Sequence, residues 1–146
     1  MHRSLFLLVS TIVCLLISCT PQAQTIEFGL DSCDACRMTI VDEQHAAELV
    51  TEKGRTYKFD AVECMVPYFN EHQKETPFAL ILVCDYNEPG ILVDGREAHY
   101  LISEAIPSPM GGFLSALSTP QAAQELADTK GGSVYNWSSL RSHLAQ

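Results

Sequence analysis

Three sulfur side chains fall within six residues in Cys33-Asp34-Ala35-Cys36-Arg37-Met38, a polar stretch with little hydrophobic reason to hold them. Thiolate and thioether are soft donors, matched to Cu(I) above the other common biological metals. In an extended segment, side chains two residues apart share a face, so Cys36 and Met38 would point together and converge on one ion. Cu(I) accepts two or three ligands, and one remote donor would complete the set. Met110 is placed for that role in Pro107-Ser108-Pro109-Met110-Gly111-Gly112, where prolines stiffen the approach and glycines free the backbone.

The same residues have other readings. Met110 could simply fill an apolar gap. Cys33 and Cys36 could form a disulfide, with Cys64 and Cys84 packed as small hydrophobes or bridged to each other. A thiol–disulfide oxidoreductase would place its first thiolate at a helix N-terminus. Here the pair precedes a β-like stretch, and Asp31 and Asp34 should raise a thiol pKa. A structural zinc site asks for a second close pair of ligands. Cys64 and Cys84 are 20 residues apart, and His45, His72, His99 and His143 are scattered, with His45 nearest to the cysteines. No serine has a nucleophile-elbow setting and no glycine loop is built to cradle phosphate, so the chain does not read as an enzyme.

The elements that must position these residues follow from local patterns. His45 to Thr51 reads as a strand, turned by Glu52-Lys53-Gly54-Arg55 into the alternating Thr56-Tyr57-Lys58-Phe59-Asp60. Asp60 can cap a helix from Ala61 to about His72, with Val62, Met65, Val66 and Phe69 at helical spacing. Pro67 predicts a kink or a later start. Phe78 to Tyr86 is a near-continuous apolar run, consistent with a strand buried on both faces and ended by Asn87-Glu88-Pro89-Gly90. The second part repeats the order. Strands at 96–104 and 112–118 precede a helix begun by Thr119-Pro120 and stopped by Gly131-Gly132, and a last strand covers 133–137 before a short helix. The expectation is an α+β fold of two similar ββαβ halves, residues 31–90 and 91–146, with mainly antiparallel sheets covered by helices.

The N-terminus reads as an export signal. His2 and Arg3 precede an apolar run, Leu5 to Ile17, of 13 residues. A bilayer-spanning helix needs roughly 20. Leu16-Ile17-Ser18-Cys19 resembles the bacterial lipobox. The expected products are a cleaved signal over residues 1–18, a lipid-bearing Cys19 and a short tether over residues 19–30. Thr20, where inner-membrane lipoproteins often carry aspartate, points to the outer membrane, facing the periplasm. Of the six cysteines, Cys14 leaves with the signal and Cys19 takes the lipid. The first 18 residues hold one of the nine basic residues and none of the 18 acidic ones, so the remainder carries a net charge near −10. Such a surface repels nucleic acid and anionic headgroups, leaving the lipid as the route to the membrane.

Taken in order, the lipobox, Cys33-Asp34-Ala35-Cys36-Arg37-Met38-Thr39-Ile40, Tyr57-Lys58-Phe59-Asp60 and Ser108-Pro109-Met110-Gly111 resemble the NosL family of copper-chaperone lipoproteins. The resemblance spans roughly residues 31–137. It implies a fold of two ββαβ halves and Cu(I) held by Cys36, Met38 and Met110. It also implies delivery to the membrane-bound machinery that assembles nitrous oxide reductase. Many members lack the first cysteine, so the resemblance leaves Cys33 either as a fourth ligand or as a disulfide partner that shuts the site.

Overall fold

The computed structural model describes residues 20–145; the expected signal segment and Cys19 lie outside them. The chain forms strands β1 (Ala47–Thr51) and β2 (Thr56–Phe59), helix α1 (Val62–His72), and strands β3 (Phe78–Asp85) and β4 (Glu88–Asp94). Strands β5 (His99–Ile102) and β6 (Leu114–Leu117), helix α2 (Pro120–Lys130), strand β7 (Ser133–Asn136) and helix α3 (Trp137–His143) complete it. Two antiparallel sheets result, ordered β2-β1-β3-β4 and β6-β5-β7. The α+β class and the strand–strand–helix–strand repeat are therefore as expected. In each half the first strand lies between the other two.

The strand β4 departs from the expectation. Asn87-Glu88-Pro89-Gly90 reads as a terminating turn, but Tyr86 and Asn87 alone make the turn, and the chain returns from Glu88 alongside β3. Pro89 is tolerated because β4 is an edge strand, where a missing N–H leaves no ladder partner unpaired. This strand runs across position 90, where the sequence puts the division between halves.

Helix α1 is also continuous through Pro67, neither late nor broken. Val62, Met65, Val66 and Phe69 are buried as their spacing requires, each stabilising by about 1.5–3 kcal/mol relative to exposure. The helix lies on β1 and β2 and also meets β6 and α3, so it joins the two sheets. The second sheet is sandwiched. Tyr100, Leu114 and Ala116 face the main core, while Leu101 and Leu117 face Ala123 of α2. Among the described residues no helix is long and apolar enough to cross a membrane.

The segment read as a tether is partly folded. Ile26 is buried, the Gln24 N–H donates to Glu48 Oε1 at 2.8 Å, and Lys58 Nζ donates to the Thr25 carbonyl at 2.6 Å. From Gln24 onward it belongs to the body.

Candidate metal site

The stretch around the two cysteines is not extended. Cys33 N–H donates to the Met38 carbonyl at 2.8 Å and Arg37 N–H to the Cys33 carbonyl at 3.0 Å, closing a tight knuckle. Arg37 takes the left-handed conformation (φ 70°) that such a reversal needs. Ser32 and Thr39 bridge antiparallel below it. The expectation that alternation along a strand aligns Cys36 with Met38 is thus overturned, because backbone bonds within the knuckle outweigh any extended preference.

Strand β2 holds the knuckle in place. Asp34 N–H donates to the Lys58 carbonyl, and Lys58 N–H donates back to Asp34 Oδ2, both at 2.8 Å. This covers the free edge of β2, which would otherwise invite pairing. Lys58 Nζ also reaches Asp31 Oδ2 at 2.6 Å, and that bond, with the Glu27 N–H, holds the Asp31 carboxyl below its ordinary pKa. Asp31 and Asp34 are therefore occupied by Lys58 and the backbone.

Asp60 is the acid at the sulfurs. Ala61 takes the N-cap position of α1 and no side chain caps the helix, so Asp60 does not play its expected part. Its carboxylate turns instead toward the cysteines, accepting from Cys36 Sγ at 3.5 Å. Cys64, in the first turn of α1, completes the group. The sulfurs of Cys33, Cys36 and Cys64 and a carboxylate oxygen of Asp60 all lie within 4.8 Å of one another. Cys33, Asp60 and Cys64 are buried and Cys36 is half-buried.

The thiols of Cys33 and Cys64 shift each other in opposite directions. The Cys64 thiol donates to the Cys33 sulfur, which also receives the N–H groups of Cys36 and Asp60, and the Cys33 pKa falls to about 6 despite burial. Cys64 is pushed far up, first because it supplies that hydrogen bond and then by desolvation. Burial raises Cys36 as well, and the charges of Cys33 and Asp60 add to it. The four cysteines Cys33, Cys36, Cys64 and Cys84 are all free, so no disulfide joins Cys64 to Cys84 or Cys33 to Cys36. Cys84 sits apart in the core, its thiol pushed up to about 11 by desolvation.

Met38 and Met110 are outside this buried group and unusually exposed for methionine, 48% and 43%. Met110 rides a loop whose shape is set by Ser108. The Ser108 hydroxyl accepts from Phe113 N–H at 2.9 Å and donates to Glu63 Oε1, and its carbonyl accepts from Gly111 N–H at 3.0 Å. Glu63 adjoins Cys64, so the loop is fastened to the helix turn that carries the buried thiol. Gly112 makes that fit possible, since a Cβ there would stand 2.7 Å from Glu63 Cγ. Gly111 supplies the left-handed turn (φ 72°) just after Met110.

His45 does not join the sulfurs. It is buried rather than at the surface, with Nδ1 3.0 Å from Asp42 Oδ2 and Nε2 3.3 Å from Ser115 Oγ. The order acid–imidazole–hydroxyl is that of a hydrolase, but Ser115 is fully buried and no substrate can reach it. It is packing.

Sequence reasoning missed Asp60 and Cys64. The available signal was their offset: an acid ending a strand and a cysteine in the first turn of the following helix project from one end of the sheet.

A family model described as NosL matches residues 28–145. The chain belongs to the NosL family. The match takes in the cysteine knuckle, the β2–α1 junction and the Met110 loop together. Among solved structures, the fold is similar to the crystal structure of the copper chaperone NosL from Shewanella denitrificans. The TM-score is 0.70 at 19% identity, over 82% of this chain and 96% of that one. At that identity the likeness establishes the shared NosL fold, in agreement with the two antiparallel sheets and their helices. No curated protein matches the sequence.

Proposed function

We propose that this member of the NosL family is an extracytoplasmic Cu(I) carrier, anchored by lipid on Cys19, that hands copper to the apparatus maturing nitrous oxide reductase. The observation that carries the reading is the pair of exposed thioethers. Met38 follows the half-buried Cys36 by two residues, and Met110 is presented on a loop fastened to the same helix turn as Cys64. Exposed methionine sulfur has little packing value and suits a soft monovalent ion. Membership of the family, and the description of the Shewanella protein as a copper chaperone, support copper as cargo. The lipobox supports the anchor, and Thr20 after Cys19 supports the outer membrane.

Low coordination is what makes a carrier. With Cys36, Met38 and Met110 as donors, an incoming ligand from the recipient can attach before one of them leaves, so the ion is never free. Cys33, whose thiol pKa is lowered by the hydrogen bonds it receives, lies within 4.8 Å of Cys36 and can replace a departing donor.

An anaerobic Cu(I) titration of the reduced full chain against a chromogenic chelator tests this. One equivalent should bind tightly, and Met110→Leu, which keeps volume and removes sulfur, should weaken binding without unfolding the protein. Unchanged affinity in Met110→Leu rejects the ligand set. Cys19→Ser should move the protein from the membrane to the soluble fraction, and acyl mass on Cys19 reads the anchor directly.

A further inference from the structure

Away from the sulfurs, where α1 of the first half meets α3 of the second, the chain holds an arginine that no acid neutralises. Arg141 is half-buried, whereas Arg37, Arg55 and Arg96 are exposed. Its guanidinium lies 4.7 Å from the centre of the Phe69 ring and 5.7 Å from that of Trp137, both within cation–π range. Arg141 Nε donates to Asn70 Oδ1 at 2.8 Å, and Asn70 Nδ2 donates to the Arg141 carbonyl at 3.5 Å. Both ends of the Asn70 amide are thus spent on holding this one residue.

Two rings and one amide fix the guanidinium and leave over the edge that carries Nη1 and Nη2. Among the described residues neither Nη group has an acceptor, and no carboxylate pairs with it. Arg141 lines an open hollow of about 370 Å³ with Asn70, Gln73, Ser138, Ser142 and Ala145, a volume suited to a small ligand or to one side chain of a partner. We propose that this hollow is a carboxylate-binding site, in which the Nη edge of Arg141 takes both oxygens and the Gln73 amide and Ser138 hydroxyl add further donors. About 13 Å of helix separate Gln73 from Cys64, so the inference does not depend on the copper reading.

Charge selects the ligand class. The chain carries a formal net charge of −9, yet no acidic side chain lines the hollow. Burial lowers the Arg141 pKa, but arginine keeps its proton, so a charge is half taken out of water without a counter-ion. An anion relieves that cost. A guanidinium edge offers two parallel N–H groups, which match the two coplanar oxygens of a carboxylate. A phosphate dianion would bring a second negative charge, and the lining has no second cation to meet it. Neutral donors complete the shell instead: neither the Gln73 amide nor the Ser138 hydroxyl has a partner among the described residues. Because the hollow is shared by α1 and α3, a bound carboxylate also ties the two halves together.

The chain has a single tryptophan, and its ring beside Arg141 is the reporter. Sodium acetate titrated into the reduced full chain at constant ionic strength should change Trp137 fluorescence saturably, with a Kd on the order of 1 mM, and sodium chloride should not. The thermal midpoint should rise over the same range of acetate. Arg141→Lys, which keeps the charge and loses the fork, should weaken acetate binding at least about tenfold. Gln73→Ala should weaken it about threefold. A peptide acetylated and amidated at its ends, with one glutamate, separates the sources. Tighter binding than acetate assigns the carboxylate to an acidic side chain of a docking protein, and equal or weaker binding assigns it to a free small acid. A folded wild-type chain with no saturable response to either probe overturns the inference. So does inorganic phosphate binding more tightly than both, or acetate affinity unchanged in Arg141→Lys and Gln73→Ala. Should Arg141→Lys not fold, Gln73→Ala decides alone.

Discussion

Both halves of the molecule run strand, strand, helix, strand with the first strand in the middle, and they treat the junction between second strand and helix in opposite ways. In the second half the junction is Ser118-Thr119-Pro120. Thr119 caps α2 by accepting from Ala122 N–H at 3.2 Å, and proline occupies the first turn where its missing N–H does no harm. In the first half the junction is Asp60-Ala61-Val62. The cap is alanine, the aspartate looks away from the helix, and a cysteine sits in the first turn. One position in the fold serves helix stability in one half and is turned toward buried sulfur in the other. Local rules are most often set aside where a chain has something to hold.

Six substitutions test how far that contrast goes. The largest effect is expected from Cys36→Ser, which removes the one thiol among the proposed Cu(I) donors Cys36, Met38 and Met110. Cu(I) affinity should fall on the order of 100-fold or more, whereas Cys84→Ser should leave it unchanged. Equal losses in the two variants would mean that burial, not position, governs binding.

Ser108→Ala probes whether the second half contributes to the site in the first. Losing the bonds to Glu63 and Phe113 should let the Met110 loop drift and weaken Cu(I) binding about tenfold, with Met110 itself intact. Thermal stability should fall by no more than about 1 kcal/mol. A full loss of fold would instead make Ser108 a stability residue.

The junction residues themselves come next. Thr119→Ala should cost about 1 kcal/mol, seen as a drop of about 4 °C in thermal midpoint. Asp60→Asn should leave the metal-free midpoint unchanged or raised, since it removes a buried charge that caps nothing. A fall in Asp60→Asn as large as that in Thr119→Ala would erase the proposed difference between the halves.

The smallest effect concerns Glu48, fully buried on β1 where the folded N-terminal segment meets the sheet. Burial raises its carboxyl pKa, against the Gln24 N–H and Lys58, which lower it. The folded state therefore holds the proton more tightly than the unfolded chain. The stability this brings is complete below the unfolded pKa and is lost as pH rises through the folded one. Glu48→Gln is neutral throughout, so it should gain thermal midpoint over the wild type at pH 8 and gain least at pH 4. The opposite trend would show the carboxylate to be stabilised by Lys58.

Much of this was legible without coordinates. Thr119-Pro120 and Gly131-Gly132 bound α2 because capping and helix termination depend on neighbours in the chain. The spacing of Val62, Met65, Val66 and Phe69 gave α1, and the alternation in Thr56–Phe59 gave β2. The concentration of sulfur in residues 33–38 marked one wall of a site, since chemistry within six residues is a property of the sequence itself. Strand β4 escaped because Pro89 and Gly90 argue for a turn in isolation. An edge position, which exempts proline from donating, exists only once β3 has a neighbour.

The opposite wall of the site was of the same kind. Asp60 and Cys64 look like a helix cap and a core cysteine when read locally, and neither is close in sequence to Cys33. They meet the knuckle because Asp34 N–H donates to the Lys58 carbonyl while Lys58 N–H donates to the Asp34 carboxylate, which sets the knuckle over the end of β2 at one register. The sequence by itself determined which sulfurs could share a turn. Only the tertiary structure decided which further groups face them, because that follows from how separated segments pack and not from spacing along the chain.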